Sequence, residues 1–222
     1  MKPNKTPDNI KNMFDSIAKQ YDLMNNFISF GMHFLVKKNC VKNLEIKDNS
    51  KILDLCCGTG DFCKIIKKYY PNSDIYGADF SENMLNLAKS KNSCISFIQC
   101  DATDLPFKNN YFDIVIVGFG LRNILNTEKA VEEIYRVLKP QGKFLHLDFG
   151  KKNIFSKVFD YCASIISKLL STNHWAYSYL IESKKEFPQP DELIEDFESK
   201  GFHLVRRQDY CFGVISSQIM RK

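Results

Sequence analysis

The run K-I-L-D-L-C-C-G-T-G-D from Lys51 to Asp61 restricts the fold more than any other part of the chain. Lys51 to Cys56 is short and apolar on both faces, which suits a strand buried between two layers. Glycines at 58 and 60 permit a tight turn and leave backbone N–H groups open to close approach. A helix is expected from Asp61 to about Tyr70, closed by Pro71. Strand, glycine turn and helix in that order form the opening unit of a parallel sheet that binds ligands at its C-terminal edge.

The alternation continues. Asp74 to Asp79 reads as a second strand, and Ser81 caps a helix carrying Met84, Leu85 and Ala88. Ile95 to Cys100 and Tyr111 to Val117 read as the third and fourth strands. A helix from Thr127 places Val131, Ile134 and Leu138 on one face and is expected to stop at Lys139-Pro140, before a fifth strand from Lys143 to Phe149. Residues 1–48 form a helical cover, 50–150 the ligand-binding core, 151–188 a helical insertion, and 189–222 a helix and two strands. The expectation is one domain over 1–222. It is a Rossmann-like α/β fold whose mostly parallel sheet of seven strands carries helices on both faces.

Composition narrows the function classes. The chain has 222 residues, 44% of them hydrophobic, enough for one sizeable core and unlike a disordered chain. Lys and Arg number 31 against 26 Asp and Glu, a net charge of +5 spread along the chain. Basic patches interleaved with aromatics, the mark of nucleic-acid binding, are not evident. The eight cysteines form no C-x-x-C pair and no zinc spacing, so no metal is expected and a reducing, cytoplasmic setting is. The polar start, Met1 to Asn12, does not read as a secretory signal, and no apolar run nears the roughly 18 residues of a membrane span.

Three acidic strand ends identify the ligand class. Asp79 ends the second strand, where a carboxylate can accept both hydroxyls of a ribose. Asp101-Ala102 follows the third strand, where an adenine edge can be held. A dinucleotide site wants a third glycine at 63, which is Cys63, and a charged Asp54 before the loop disfavours phosphates. S-adenosylmethionine (SAM), with a sulfonium, an amino group and no phosphate, satisfies all of these. A nucleic-acid methyltransferase would carry an Asn/Asp-Pro-Pro-aromatic motif after strand four, where G-F-G-L-R-N stands instead.

Four segments together resemble the C-methyltransferases of demethylmenaquinone and ubiquinone biosynthesis. They are Y-D-L-M-N-N-F-I-S-F-G-M-H from Tyr21 to His33, G-F-G-L-R-N from Gly118 to Asn123, R-V-L-K-P-Q-G-K-F-L-H-L-D from Arg136 to Asp148, and Y-S-Y-L-I-E-S-K-K-E-F-P from Tyr177 to Pro188. The resemblance implies a class I methyltransferase acting on a ring carbon of a polyprenylated quinol, with SAM contacts at Thr59, Asp79, Asp101 and Ala102. Gly118 also falls beside the cofactor. Departures include Gly118 where Ser often lies, Gln141 for Gly, Asp148 for Glu and Gln218 for His, and they fall mostly on the acceptor side.

A ring carbon is a poor nucleophile until its neighbouring hydroxyl ionises. For a phenol of pKa about 10, that costs roughly 4 kcal/mol at pH 7. Arg122 is the first candidate to stabilise the phenolate, or else an ion-pair partner of a carboxylate such as Asp101. Asn123 orients substrate or caps the following helix. Tyr21 binds a quinol oxygen or water. His33, titrating near the ordinary 6.5, is either the base or a packed side chain. A stripe of Val158, Phe159, Cys162, Ile165, Ile166, Leu169 and Leu170 is core, a homodimer contact, a groove for the isoprenoid tail or a membrane-surface contact. Phe27, Ile28, Phe30, Met32, Phe34 and Leu35 are further candidates for transient membrane contact. Other readings are a methyltransferase for another small-molecule or lipid acceptor, and a non-catalytic SAM-binding protein.

Overall fold

A computed structural model describes residues 6–170 and 173–222. Seven strands form one sheet in the order β3-β2-β1-β4-β5-β7-β6: β1 (Lys51–Leu55), β2 (Asp74–Asp79), β3 (Ser96–Gln99), β4 (Phe112–Gly118), β5 (Leu138–Phe149), β6 (His203–Tyr210) and β7 (Ile215–Arg221). The five strands from β3 to β5 pair in parallel, and β7 runs antiparallel to both β5 and β6.

Alternation within the strands sorts the core into two layers. Leu53, Leu55, Val115 and Val117 face one side, where they meet Val131 and Ile134 of α5 (Thr127–Val137) and Leu193 and Phe197 of α8 (Pro190–Ser199). Ile52, Ile114 and Ile116 face the other, against α2 (Met32–Asn43) and α3 (Asp61–Tyr69). A strand apolar on both faces therefore needs helices on both, which is the expected fold. A third cluster lies apart from the sheet. Met13, Ile17, Ala18 and Met24 of α1 (Pro7–Ser29) pack on Met84 of α4 (Glu82–Lys91) and on Ala176 and Tyr179 of α7 (His174–Glu186). Thus α1 lies over the C-terminal edge of the sheet as a cover. Ser81 caps α4 as expected, its Oγ accepting from the Met84 N–H at 3.1 Å.

One boundary differs. Helix α5 stops at Val137, and the segment containing Pro140 and Gly142 belongs to β5. Leu138 is already extended (ψ 137°), as proline two residues on makes continuation of the helix costly. Strand β5 then pairs Leu138 with Phe112 before its register shifts to Ile114↔Lys143. Gln141, where glycine is usual in the family, has φ 65°, a left-handed conformation that glycine adopts without steric cost.

Helix α6 (Ile154–Leu170) turns Ala163, Ser156 and Ser167 inward, while Ile154, Val158, Tyr161 and Ile165 are exposed. The side chains of Leu169 and Leu170 lie outside the described residues. Among the described residues no helix is long and apolar enough to cross a membrane.

Candidate active site

Two adjoining cavities open under α1, at the C-terminal edge of the sheet. The larger, of about 260 Å³, is lined by Asp79, Asp101, Ala102, Cys100, Asn123 and Ile124 among others. The second, of about 150 Å³, is lined by His33, Asp54, Thr59, Arg122, Phe149 and Lys184 among others. Tyr21, Cys56, Gly58, Gly118 and Phe119 border both. The strand crossover between β1 and β4 creates this cleft, since the chain leaves β1 toward one side of the sheet and β4 toward the other.

The larger cavity is built from strand ends and backbone. Gly58, with φ 54°, donates its N–H to Asp79 Oδ2 at 2.8 Å, and the Ser81 N–H donates to Oδ1 at 2.9 Å. Each carboxylate oxygen keeps a lone pair for a further donor. A Cβ placed on Gly58 would meet only the Tyr21 ring, at 3.9 Å, so the turn leaves room beside its backbone. Gly118 is different: a Cβ there would sit 2.5 Å from Phe62, so serine at this position needs the ring to move. Gly60 (φ 83°) lies away from both cavities and serves the turn into α3. Asp101 Oδ1 accepts from the Thr103 N–H and hydroxyl, both at 2.8 Å, which fixes the loop holding Ala102. A carboxylate with spare lone pairs beside an apolar slot is what a nucleoside requires, and the residues present fit SAM.

Two non-glycine residues on this edge, Cys56 (φ 57°) and Phe119 (φ 60°), hold left-handed backbone. Such conformations are costly for a side chain as large as phenylalanine and cluster at functional sites.

Asp54 is buried to 1% exposure. Its Oδ2 accepts from the Cys63 N–H at 3.3 Å and thiol at 3.2 Å. Burial pushes its carboxyl up to about 7. The fixed negative charge expected from sequence is therefore conditional on pH and on a nearby cation. Thr59 donates its hydroxyl to Asp22 of α1 at 2.5 Å, and Lys91 of α4 pairs with the same carboxylate.

The second cavity is built from side chains that are distant in sequence. Arg122 lies in a short 3-10 turn, Leu121–Asn123, and is 5% exposed. Its Nη1 donates to Asp148 Oδ1 at 2.8 Å and to the Phe119 carbonyl at 2.7 Å. The expected partner, Asp101, borders the larger cavity instead. In the observed strand order β4 and β3 are three spacings apart, roughly 14 Å, whereas β5 is β4's immediate neighbour. Arg122 Nε and Asp148 Oδ2 are buried without partners among the described residues.

His33 also departs from expectation. Its Nδ1 shares a 2.6 Å hydrogen bond with Ser29 Oγ, and burial, with Lys37 adding to it, pushes its pKa down to about 4. An imidazole so weakly basic is neutral at pH 7 and a poor proton acceptor. Asn123 does not cap α5, because Asn126 does so by accepting from the Lys129 N–H at 3.0 Å. Asn123 Nδ2 donates to the Phe119 carbonyl at 3.3 Å, and its Oδ1 is buried without a partner among the described residues. Tyr21 stands at the junction of the two cavities, edge-on to Phe14.

Sequence reasoning did not single out Lys184, Asp160 or Phe149 as lining this cavity; Asp148 stood out there only as a departure on the acceptor side, and Phe159 as part of a stripe with an isoprenoid groove among its readings. Lys184 lies inside the fourth family-like segment, and a lysine on the inner face of a helix was the available signal.

The ubiE/COQ5 methyltransferase family matches residues 2–222. A demethylmenaquinone methyltransferase of Anoxybacillus flavithermus is 34% identical over 227 residues, covering 97% of this chain and 96% of its own length. Its Staphylococcus aureus counterpart is 36% identical over 222 residues, covering 96% and 92%. Among solved structures, the methyltransferase bound to the Haloferax volcanii Trm112 activator superposes with TM-score 0.74 at 17% identity, covering 94% of this chain and 96% of its own. A SAM-dependent methyltransferase from Aquifex aeolicus gives 0.62 at 17% identity, covering 83% and 88%. At these identities the structural likeness speaks to the fold.

Proposed function

The chain belongs to the ubiE/COQ5 methyltransferase family and is a SAM-dependent methyltransferase of quinone biosynthesis, and from that premise we propose that it methylates a ring carbon of a polyprenylated quinol, with demethylmenaquinol as the acceptor. The observation that carries this reading is the two-part cleft: a nucleoside-shaped cavity joined at Gly58 and Gly118 to a second cavity with aromatic and cationic walls.

In this reading Asp79 accepts the ribose hydroxyls, Asp101 and Ala102 hold the adenine edge, and Gly58 and Gly118 form the floor. Asp54 and Thr59 face the amino-acid end, and Gly60 shapes the turn. Bound SAM supplies a sulfonium methyl group for in-line displacement. The protein's task is orientation and stabilisation of the acceptor's ring oxygen as it ionises. Arg122 acts here as half of an ion pair, offering the Nε donor that Asp148 leaves free. Tyr21, at the junction of the two cavities, orients the quinol, the unpaired Asn123 carbonyl faces the cofactor half, and neutral His33 packs and orients rather than taking the proton. The whole chain, 1–222, acts as one catalytic unit.

The acceptor's tail is lipid-soluble, so the protein must meet a membrane surface or extract the acceptor from it. Phe30 is 82% exposed, and Leu35 and Phe27 lie near it on the rim formed by the end of α1 and the start of α2. Ile28, Ser29 and His33 of that rim, with Phe159 and Ala163 of α6, line the second cavity. An apolar rim at the mouth of an acceptor cavity suits reversible contact with a bilayer, aided by the net charge of +5 on an anionic leaflet.

The test is an incubation with labelled SAM and reduced demethylmenaquinone, followed by mass analysis and proton NMR. The expected product carries a new aryl methyl. An O-methyl ether, or transfer only to a different lipid or small molecule, would sink the assignment. In parallel, vesicles with anionic lipid should pull down the protein at low salt and release it at high salt. Absence of binding with full activity on detergent-dispersed quinol would place the tail in a closed pocket, and a stable dimer burying α6 would assign that face to a second copy.

A further inference from the structure

Lys184 is an unusual lysine. It sits on α7 with 5% exposure, although lysine ordinarily keeps its ammonium in water. Its Nζ donates to Asp160 Oδ1 of α6 at 2.7 Å and lies 4.7 Å from the Phe149 ring centroid and 5.4 Å from that of Phe159. The Arg122 guanidinium lies 5.1 Å from the same Phe149 ring. Two cations therefore share one aromatic side chain on the wall of the second cavity, which also contains Asp160.

We propose that Lys184 binds the ionising ring oxygen of the methyl acceptor and is a specificity-determining residue for an anionic ring. This rests on the acceptor reading above. An ammonium has three donors, and Asp160 receives one. The two carboxylates paired with these cations differ in a way that decides between them. Asp148 is wholly buried, so Arg122 cannot leave it without stranding a charge in the interior. Asp160 keeps 23% of its side chain exposed, so water can solvate it when Lys184 turns to a ligand. Lys37, the other lysine on the cavity wall, is held by Asp61 of α3, on the glycine-loop side. Burial lowers the Lys184 pKa, opposed by Asp160, which shows that its charge is poorly solvated and would gain from a second anion.

The proton balance is simple. As the acceptor's O–H bond breaks, the proton passes to the carboxylate that Lys184 releases and on to water. The ring carbon then bonds to the methyl carbon as the methyl–sulfur bond breaks. Loss of the ring C–H proton to water restores the aromatic ring as the methylated quinolate, whose oxygen takes one proton back from water, giving methylated quinol, the thioether and one net proton.

The probe is 2-hydroxy-1,4-naphthoquinone, which is anionic at neutral pH, against its methyl ether, which is neutral. Both are titrated into the full chain saturated with S-adenosylhomocysteine. The wild type should bind the anion at least about tenfold tighter than the ether. Lys184→Met should abolish that preference while leaving SAM affinity and the thermal midpoint close to wild type, and Lys184→Arg should retain most of it. The proposal fails if the wild type shows no preference, or if Lys184→Met or its polar counterpart Lys184→Gln keeps the full preference. Because the readout is binding, it is independent of the product assay. A Lys184-dependent preference without quinol methylation would defeat the acceptor reading alone, and methylation without the preference would defeat this inference alone.

Discussion

The two halves of the cleft are built in different ways. The larger cavity takes its polar groups from consecutive strand ends: Asp79 closing β2, Asp101 after β3 and the glycine turn after β1, joined by backbone N–H groups a few residues away or on the next strand. The smaller cavity takes charged side chains in pairs that join separate elements: Arg122 with Asp148, and Lys184 of α7 with Asp160 of α6. Local construction gives a half that a motif can encode and that many acceptor chemistries can share. Paired construction gives a half whose properties depend on tertiary packing, and that half faces the acceptor.

The contrast can be broken most forcefully at Arg122. Arg122→Met leaves Asp148 buried and unpaired, and the expected loss of stability is about 3–5 kcal/mol by urea unfolding. Arg122→Met combined with Asp148→Leu should recover most of it. A single variant that is fully stable but catalytically dead would make Arg122 a purely chemical residue, contrary to the paired construction.

Asp79→Ala is the matching cut in the other half. It should weaken SAM binding by about 1.5–3 kcal/mol, measured by calorimetry, because a hydrogen-bonded charge is lost while the fold persists. Unchanged affinity would remove the ribose role.

The pH dependence of SAM binding sharpens the boundary between the halves. The Asp54 carboxyl is held up to about 7 by burial, so it is neutral below that pH and ionised above it. A ligand bearing an ammonium group favours the ionised form. SAM affinity should therefore rise as pH climbs toward 7 and level off above it, by at most about 1.4 kcal/mol per pH unit. Asp54→Asn should flatten this profile, and a profile unaltered by that substitution would place the amino-acid end elsewhere.

The smallest effect concerns the cover. Asp22 ties α1 to Thr59 and Lys91, and its side chain is 38% exposed. Asp22→Ala should cost no more than about 1 kcal/mol, seen as a few-fold faster SAM dissociation in stopped flow. Equal dissociation rates would detach α1 from control of the larger cavity.

The same contrast explains what could be read from sequence. The five parallel strands and the loop from Asp54 to Asp61 were legible because burial on both faces and a glycine turn leave local patterns. Asp79 and Asp101 were legible because a strand end is a local position. Arg122 was found, but its partner was not, since strand order is what places Asp148 beside it: the Phe119 N–H already bonds the Leu147 carbonyl at 2.7 Å. The weak basicity of His33 was hidden for a similar reason, because it comes mainly from burial, which tertiary packing sets, with Lys37 one turn on only adding to it. Pro140 misled in the other direction, as its local meaning as a helix stop was right but the strand it enters is set by pairing with β4.

The central claim is that a single cleft holds SAM in the half made of strand ends and the acceptor in the half made of distant pairs. A crystal structure of the chain with S-adenosylhomocysteine tests it most directly. The account predicts ribose hydroxyls on the Asp79 carboxylate, the adenine against Asp101 and Ala102, and the sulfur at the junction beside Gly118, facing the cavity walled by Arg122 and Lys184. A nucleoside seated among Arg122, Phe149 and Lys184 instead would contradict it.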